Sequence, residues 1–125
     1  MKAQVLYDIG DLRYEDIEKP QLKEGWVMVK VMAAGVCGSD IPRIYNTGAH
    51  VHPIVPGHEF SGEVVETFDK NSRWNGKRVG VFPLIPCGKC SSCKKKMYEM
   101  CSNYNYLGSR CDGGFAEYAA VPEWN

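Results

Sequence analysis

The sequence predicts a mainly β fold, a small and partly open barrel built as one domain. Three observations predict it. Short segments alternate apolar and polar residues with period two. Thirteen glycines and seven prolines interrupt them at close intervals. Only two stretches read as helix, and both are brief.

In order, "AQVLY" and "LRYEDIE" flank the turn "DIGD" and predict a hairpin. "WVMVKVM" predicts a strand with Val27, Val29 and Val31 on one face and Met28, Lys30 and Met32 on the other. "SDIPRIY" predicts a helical turn with Pro42 in its first turn. "GEVVETF" and "KRVGVF" predict two further strands across the polar loop "DKNSRWNG". "SSCKKKMYEM" is the second helical candidate. "GGFAEYAAV" predicts a last strand, Phe115 and Glu117 facing one way, Ala116 and Tyr118 the other. No repeat, low-complexity tract or linker divides residues 1–125.

Composition narrows the function classes. Hydrophobic residues make up 44% and charged residues 24%, ordinary for a globular domain. Fifteen basic residues balance fifteen acidic ones, so nothing favours nucleic acid or an anionic membrane as partner. No apolar run approaches the roughly 20 residues of a membrane helix. The start, "MKAQVLYDIGDLRYED", lacks the apolar core and cleavage site of a secretory signal. The expected compartment is the cytoplasm, where thiols stay reduced.

That compartment bears on "PCGKCSSCKKKMYEMC". Cys87, Cys90, Cys93 and Cys101 have the spacing C-x2-C-x2-C-x7-C. Disulfides fit poorly, because adjacent x2 spacings pair badly and the compartment is reducing. Ferredoxin-type spacing closes with x3 and a proline, whereas here the last gap is x7 without one. A closed, tetrahedral, four-thiolate zinc site fits best, and its role is structural, replacing burial in a lobe at about 84–110. Lys89, Lys94, Lys95 and Lys96 lie where they could offset its negative charge or simply form a solvated face.

Two other motifs are unexplained by that site. "AGVCGSD" carries Cys37 at a strand end, and "VPGHEFSG" carries His58 and Glu59 after Gly57, a residue free to take positive φ. Strand neighbours point to opposite faces, so both side chains reach one metal only if the backbone is irregular there. Otherwise Glu59 stands behind the ligands. Alone, either motif reads as a satisfied core Cys or His.

Together, Gly-x-Cys-Gly-Ser-Asp, Gly-His-Glu, the four-cysteine lobe and "DGGFAEY" resemble, in order, the zinc-dependent medium-chain dehydrogenases, and specifically their N-terminal GroES-like domain. "CGSDIPRIYNTGAH", "GHEFSG" and "GSRCDGGFAEY" resemble its polyol dehydrogenases, the galactitol-1-phosphate 5-dehydrogenase branch in particular.

The resemblance implies that Cys37 and His58 hold a catalytic zinc, with Glu59 a ligand or exchanging with water. Ser39 would relay the substrate's proton, and Asp40 would orient His58. Cys87, Cys90, Cys93 and Cys101 would hold the structural zinc. The implied reaction oxidises a secondary alcohol of a polyol or polyol phosphate to a ketone. Zinc favours the alkoxide, and hydride passes to NAD or NADP.

Arg43, one helical turn beyond Ser39, is the candidate for a substrate phosphate, against an ion pair with Asp40 or a nearby Glu. The nucleotide fingerprint G-x-G-x-x-G is absent, so the chain is expected to be an excised catalytic domain, inactive by itself. A homo-oligomer is an open expectation for the full-length enzyme. The alternative function is a non-catalytic module holding only the structural zinc. The loop at 68–75, shorter than the family's usual one, leaves the local register open. Cys111 reads as a passenger thiol, and Trp26, Trp74 and Trp124 as packing residues. His50 and His52 read as solvent-facing in a Pro-bounded loop, with His50 a candidate for the cleft mouth.

Overall fold

Residues 1–125 are described by a computed structural model. The expected hairpin is β1 (Lys2–Asp8) paired antiparallel with β2 (Asp11–Asp16). Then come β3 (Trp26–Gly35), β4 (Glu59–Thr67), β5 (Arg78–Gly80), β6 (Leu84–Ile85), β7 (Asn105–Tyr106) and β8 (Tyr118–Pro122). A four-stranded antiparallel sheet runs in the order β5-β4-β3-β8, and β6 and β7 form a separate ribbon. The sheets do not close. Isolated bridges, Ala3 to Ala116 and Leu6 to Ile54, tie the hairpin to the rest. The outcome is the expected partly open barrel.

The main core lies on the four-stranded sheet: Val27, Val29, Phe60, Val64, Ala119 and Val121, closed over by Leu107. Ala3, Val5 and Val55, and separately Leu6, Ile44 and Ile54, anchor the hairpin. The alternation in β3 holds for its valines, but Met28 is buried as well. The pairing to β4 slips between Met28 and Val29, and that irregularity relaxes strict face alternation. Across the 68–75 loop the register is regular, with Ser61, Gly62 and Glu63 opposite Gly80, Val79 and Arg78.

The last strand is shorter than expected. It begins at Tyr118, and Ala119 and Val121 face inward. The "GGF" before it is packed loop: a Cβ on Gly113 would sit 1.9 Å from the Gly57 carbonyl oxygen, so two backbones touch there. Both helical candidates break up. Asp40–Pro42 is one α turn (α1), continued by a π turn over Arg43–Thr47. Ser91–Lys94 (α2) is separated from a 3-10 turn at Tyr98–Met100 by Lys96, whose φ is +61°. No helix is long and apolar enough to cross a membrane.

Gly57 is the tightest joint. Its φ is +92°, and a Cβ there would lie 2.4 Å from Cδ1 of Phe115. Gly57→Ala should therefore destabilise the fold by about 1–3 kcal/mol from backbone strain alone, with the clash adding to it. Urea unfolding of the variant against wild type checks this; an unchanged midpoint would show that the backbone at 57 relaxes out of its positive φ and that Phe115 gives way.

Candidate functional site

The β3–β4 ladder builds the first cluster. Gly35 and Glu59 form its last rung, so the chain leaving β3 toward Cys37 passes beside the chain entering β4 through His58. Gly35 also leaves room for the carboxylate: a Cβ there would sit 2.9 Å from Glu59 Oε2. Gly57 supplies the irregular backbone that lets His58 and Glu59 converge. One ligand atom each from Cys37, His58 and Glu59 lie within 4.8 Å of one another.

Asp40, fully buried, organises this cluster. Its Oδ2 accepts the Cys37 backbone N–H at 2.9 Å, and its Oδ1 accepts Arg43 Nη1 at 2.7 Å. His58 Nδ1 lies 3.3 Å from the same Oδ1, without the alignment of a full hydrogen bond, and has no other partner. Nδ1 thus faces a carboxylate, which leaves Nε2 to bind a metal. A thiol, an imidazole and a carboxylate in this arrangement fit zinc with three protein ligands and one open position.

The second cluster is the knuckle. The Sγ atoms of Cys87, Cys90, Cys93 and Cys101 also lie within 4.8 Å of one another, and none is in a disulfide. Cys87 and Cys93 Sγ are 4.0 Å apart, Cys90 and Cys101 Sγ 3.9 Å. A tetrahedron with metal–sulfur bonds of about 2.3 Å has edges of about 3.8 Å, so the spacing fits four thiolates on one zinc. Backbone N–H groups of Cys93 and Ser102 pull the Cys90 thiol down to about 6, while burial pushes Cys93 up to about 12. A cation is what would let the four ionise together. Lys89, Lys94, Lys95 and Lys96 are exposed.

The first cluster opens on a cleft lined by Ser39, Arg43, His50, His58, Leu84 and the lobe residues Glu99, Tyr104 and Tyr106. Tyr106 stands 5.9 Å from His58 between ring centroids, and burial raises its phenol's pKa, so it remains a hydrogen-bond donor. Arg43 lines the cleft, but its guanidinium donates to Asp40, the ion pair weighed against a phosphate role. His50 is exposed at the cleft wall, while His52 accepts the Ala49 N–H at 3.3 Å within its loop. Cys111 packs against the main core, where burial lifts its thiol to about 11. Trp74 packs on that core too; Trp124 is 53% exposed and meets Phe82 and Tyr98 edge-on. The lobe's part in the cleft is absent from the sequence reading. Its one signal is the tyrosine repeat in "NYNYLG".

Comparison with known proteins adds three relatives and a family. The family model of the alcohol dehydrogenase GroES-like domain matches residues 23–125. The galactitol 1-phosphate 5-dehydrogenase of Escherichia coli K12 is 42% identical over 127 aligned residues, covering all of this chain and 37% of that protein. The structure of a short chain alcohol dehydrogenase from E. coli CFT073, complexed with NADH, superposes with TM-score 0.92 at 36% identity, over 100% of this chain and 37% of that one. A cobalt- and zinc-bound thermostable alcohol dehydrogenase from Pyrobaculum aerophilum gives TM-score 0.91 at 31% identity, over 100% and 40%. The chain spans a little over a third of the length of these proteins.

Proposed function

The chain belongs to the alcohol dehydrogenase GroES-like domain family, and from that premise we propose that it is the catalytic-domain part of a zinc-dependent, NAD(P)-linked polyol dehydrogenase. The reaction is oxidation of a secondary alcohol to a ketone, with hydride going to the nicotinamide. The observation that carries this reading is the convergence of Cys37, His58 and Glu59 on a cleft that Ser39 also lines. The names of the relatives, a polyol-phosphate dehydrogenase and alcohol dehydrogenases bound to NADH or zinc, support it.

Cys37 and His58 would hold the catalytic zinc, with Glu59 as third ligand or giving way to water. When bound, zinc supplies a Lewis acid that lowers the pKa of an alcohol at its open position. Ser39 takes the proton that leaves the alcohol and passes it outward. Asp40, facing His58 Nδ1, would favour the tautomer that leaves Nε2 free for the metal, and Arg43 holds Asp40 in place. The lobe's four cysteines would hold a second zinc with no open position, so it takes no part in the chemistry. The chain spans a little over a third of its relatives' length and carries no G-x-G-x-x-G, so this reading assigns the nicotinamide site to residues outside these 125.

The test is a metal count on the full-length protein with a nicotinamide-reduction assay on a polyol. Two zinc ions per chain are expected, and Cys37→Ser should leave one while abolishing polyol oxidation. A single zinc that Cys37→Ser does not disturb would instead favour a module with only structural metal.

A further inference from the structure

We propose that Arg110, stacked on the cleft-lining Tyr104 and next in sequence to the cleft-lining Ser109, is the residue that receives the phosphate of a polyol-phosphate substrate. The inference rests on the dehydrogenase reading and gives its substrate an anion-recognition residue. Arg43 lines the cleft, and Arg110 stacks on Tyr104, which lines it too. Arg43, at the metal end, is committed to Asp40 at 2.7 Å, and Asp40 itself faces His58. Its charge is already balanced by that carboxylate.

Arg110 is different. Its guanidinium lies 4.6 Å above the ring of Tyr104, which lines the cleft. It belongs to none of the chain's ion pairs. Its Nε is buried without a hydrogen-bond partner. A part-buried guanidinium with an orphaned donor and no carboxylate is an uncompensated cation, the state that favours an anionic ligand. A row of rings runs from His58 to the tyrosine under Arg110: Tyr106 is 5.9 Å from His58, and Tyr104 is 6.4 Å from Tyr106, centroid to centroid. Stacking on Tyr104 fixes the plane of the fork, so less freedom is lost when it pairs with phosphate oxygens. Glu99, also on the cleft, would repel a phosphate but accept hydrogen bonds from polyol hydroxyls. The two charges therefore orient one substrate in one direction.

The experiment compares a hexitol 1-phosphate with the unphosphorylated hexitol on the full-length protein. Arg110→Gln should lower kcat/KM for the phosphorylated substrate by about 10–100-fold, the size of a lost charge-assisted pair, mostly through KM. The hexitol should change by less than about twofold, and Arg110→Lys should recover part of the loss. Calorimetric titration with the hexitol phosphate, without nicotinamide, should show the same weakening. Equal losses on both substrates, or no loss on either, would make Arg110 a structural partner of Tyr104 and overturn the proposal. If wild type binds the phosphate through Arg110 but oxidises neither substrate, the dehydrogenase reading fails and the anion site stands.

Discussion

Cys93→Ser should cost the protein one zinc ion and the ordered structure of residues 84–110. Very little else can hold this lobe. Its helix α2 has four residues and its 3-10 turn three, far below the length at which a helix stands alone. Met97 and Met100 are exposed rather than packed, and of the lobe's residues Leu107 joins the main core with only half-buried Ile85 packed beside it. Burial therefore contributes a few kcal/mol at most, against apparent binding free energies of about 10–16 kcal/mol for structural zinc. Cys93 is itself buried, so its serine variant also leaves a hydroxyl among three thiols without a good partner. Limited proteolysis should cut the variant between Cys87 and Tyr106 while β3, β4 and β8 stay protected. Metal analysis should read one ion fewer per chain. An intact lobe at reduced metal content would mean that packing against Phe82 and Trp124 holds it, and the four-thiolate account of its stability would fail.

How much of this was legible in advance depended on whether a feature was local. The hairpin, the valine face of β3 and the positive φ of Gly57 follow from neighbouring residues, and all appear. The four-cysteine spacing is equally local, and the sulfurs do meet. Features set by distant contacts were hidden. "GGFAEYAAV" has the alternation of a strand, yet Gly113 and Gly114 abut Gly57 and Phe60, and that packing delays the strand to Tyr118. The ribbon β6–β7 has two residues a side, too few to carry a period. For the same reason the lobe's tyrosines were invisible as cleft residues: only this ribbon carries Tyr106 to His58. Arg43 shows the limit of helical spacing. Position put it on the face of Ser39, but a buried carboxylate one turn away claimed its charge.

Asp40→Asn should weaken metal binding at the Cys37–His58–Glu59 cluster by about 10–100-fold while leaving the fold in place. The carboxylate receives three approaches at once: the Cys37 N–H on Oδ2, and Arg43 Nη1 and His58 Nδ1 on Oδ1. An amide has one oxygen and one NH2 group. Whichever way it turns, its NH2 opposes a donor, either the Cys37 N–H or the Arg43 guanidinium. The imidazole then loses the carboxylate facing Nδ1, and with it orientation and basicity at Nε2. Asp40→Ala goes further, because it strands Arg43, whose side chain is only 18% exposed, beside a cavity. Removing one member of such a pair costs about 3–5 kcal/mol when fully buried, and somewhat less here because Arg43 keeps some solvent. Combining Asp40→Asn with Arg43→Gln separates the two roles. The double variant should recover the stability lost to an unpaired charge but not the metal affinity, because the carboxylate is still missing. Zinc titration and thermal unfolding on the same three variants read both quantities. Metal affinity that survives Asp40→Asn, or that returns in the double variant, would show that Asp40 serves only to balance Arg43.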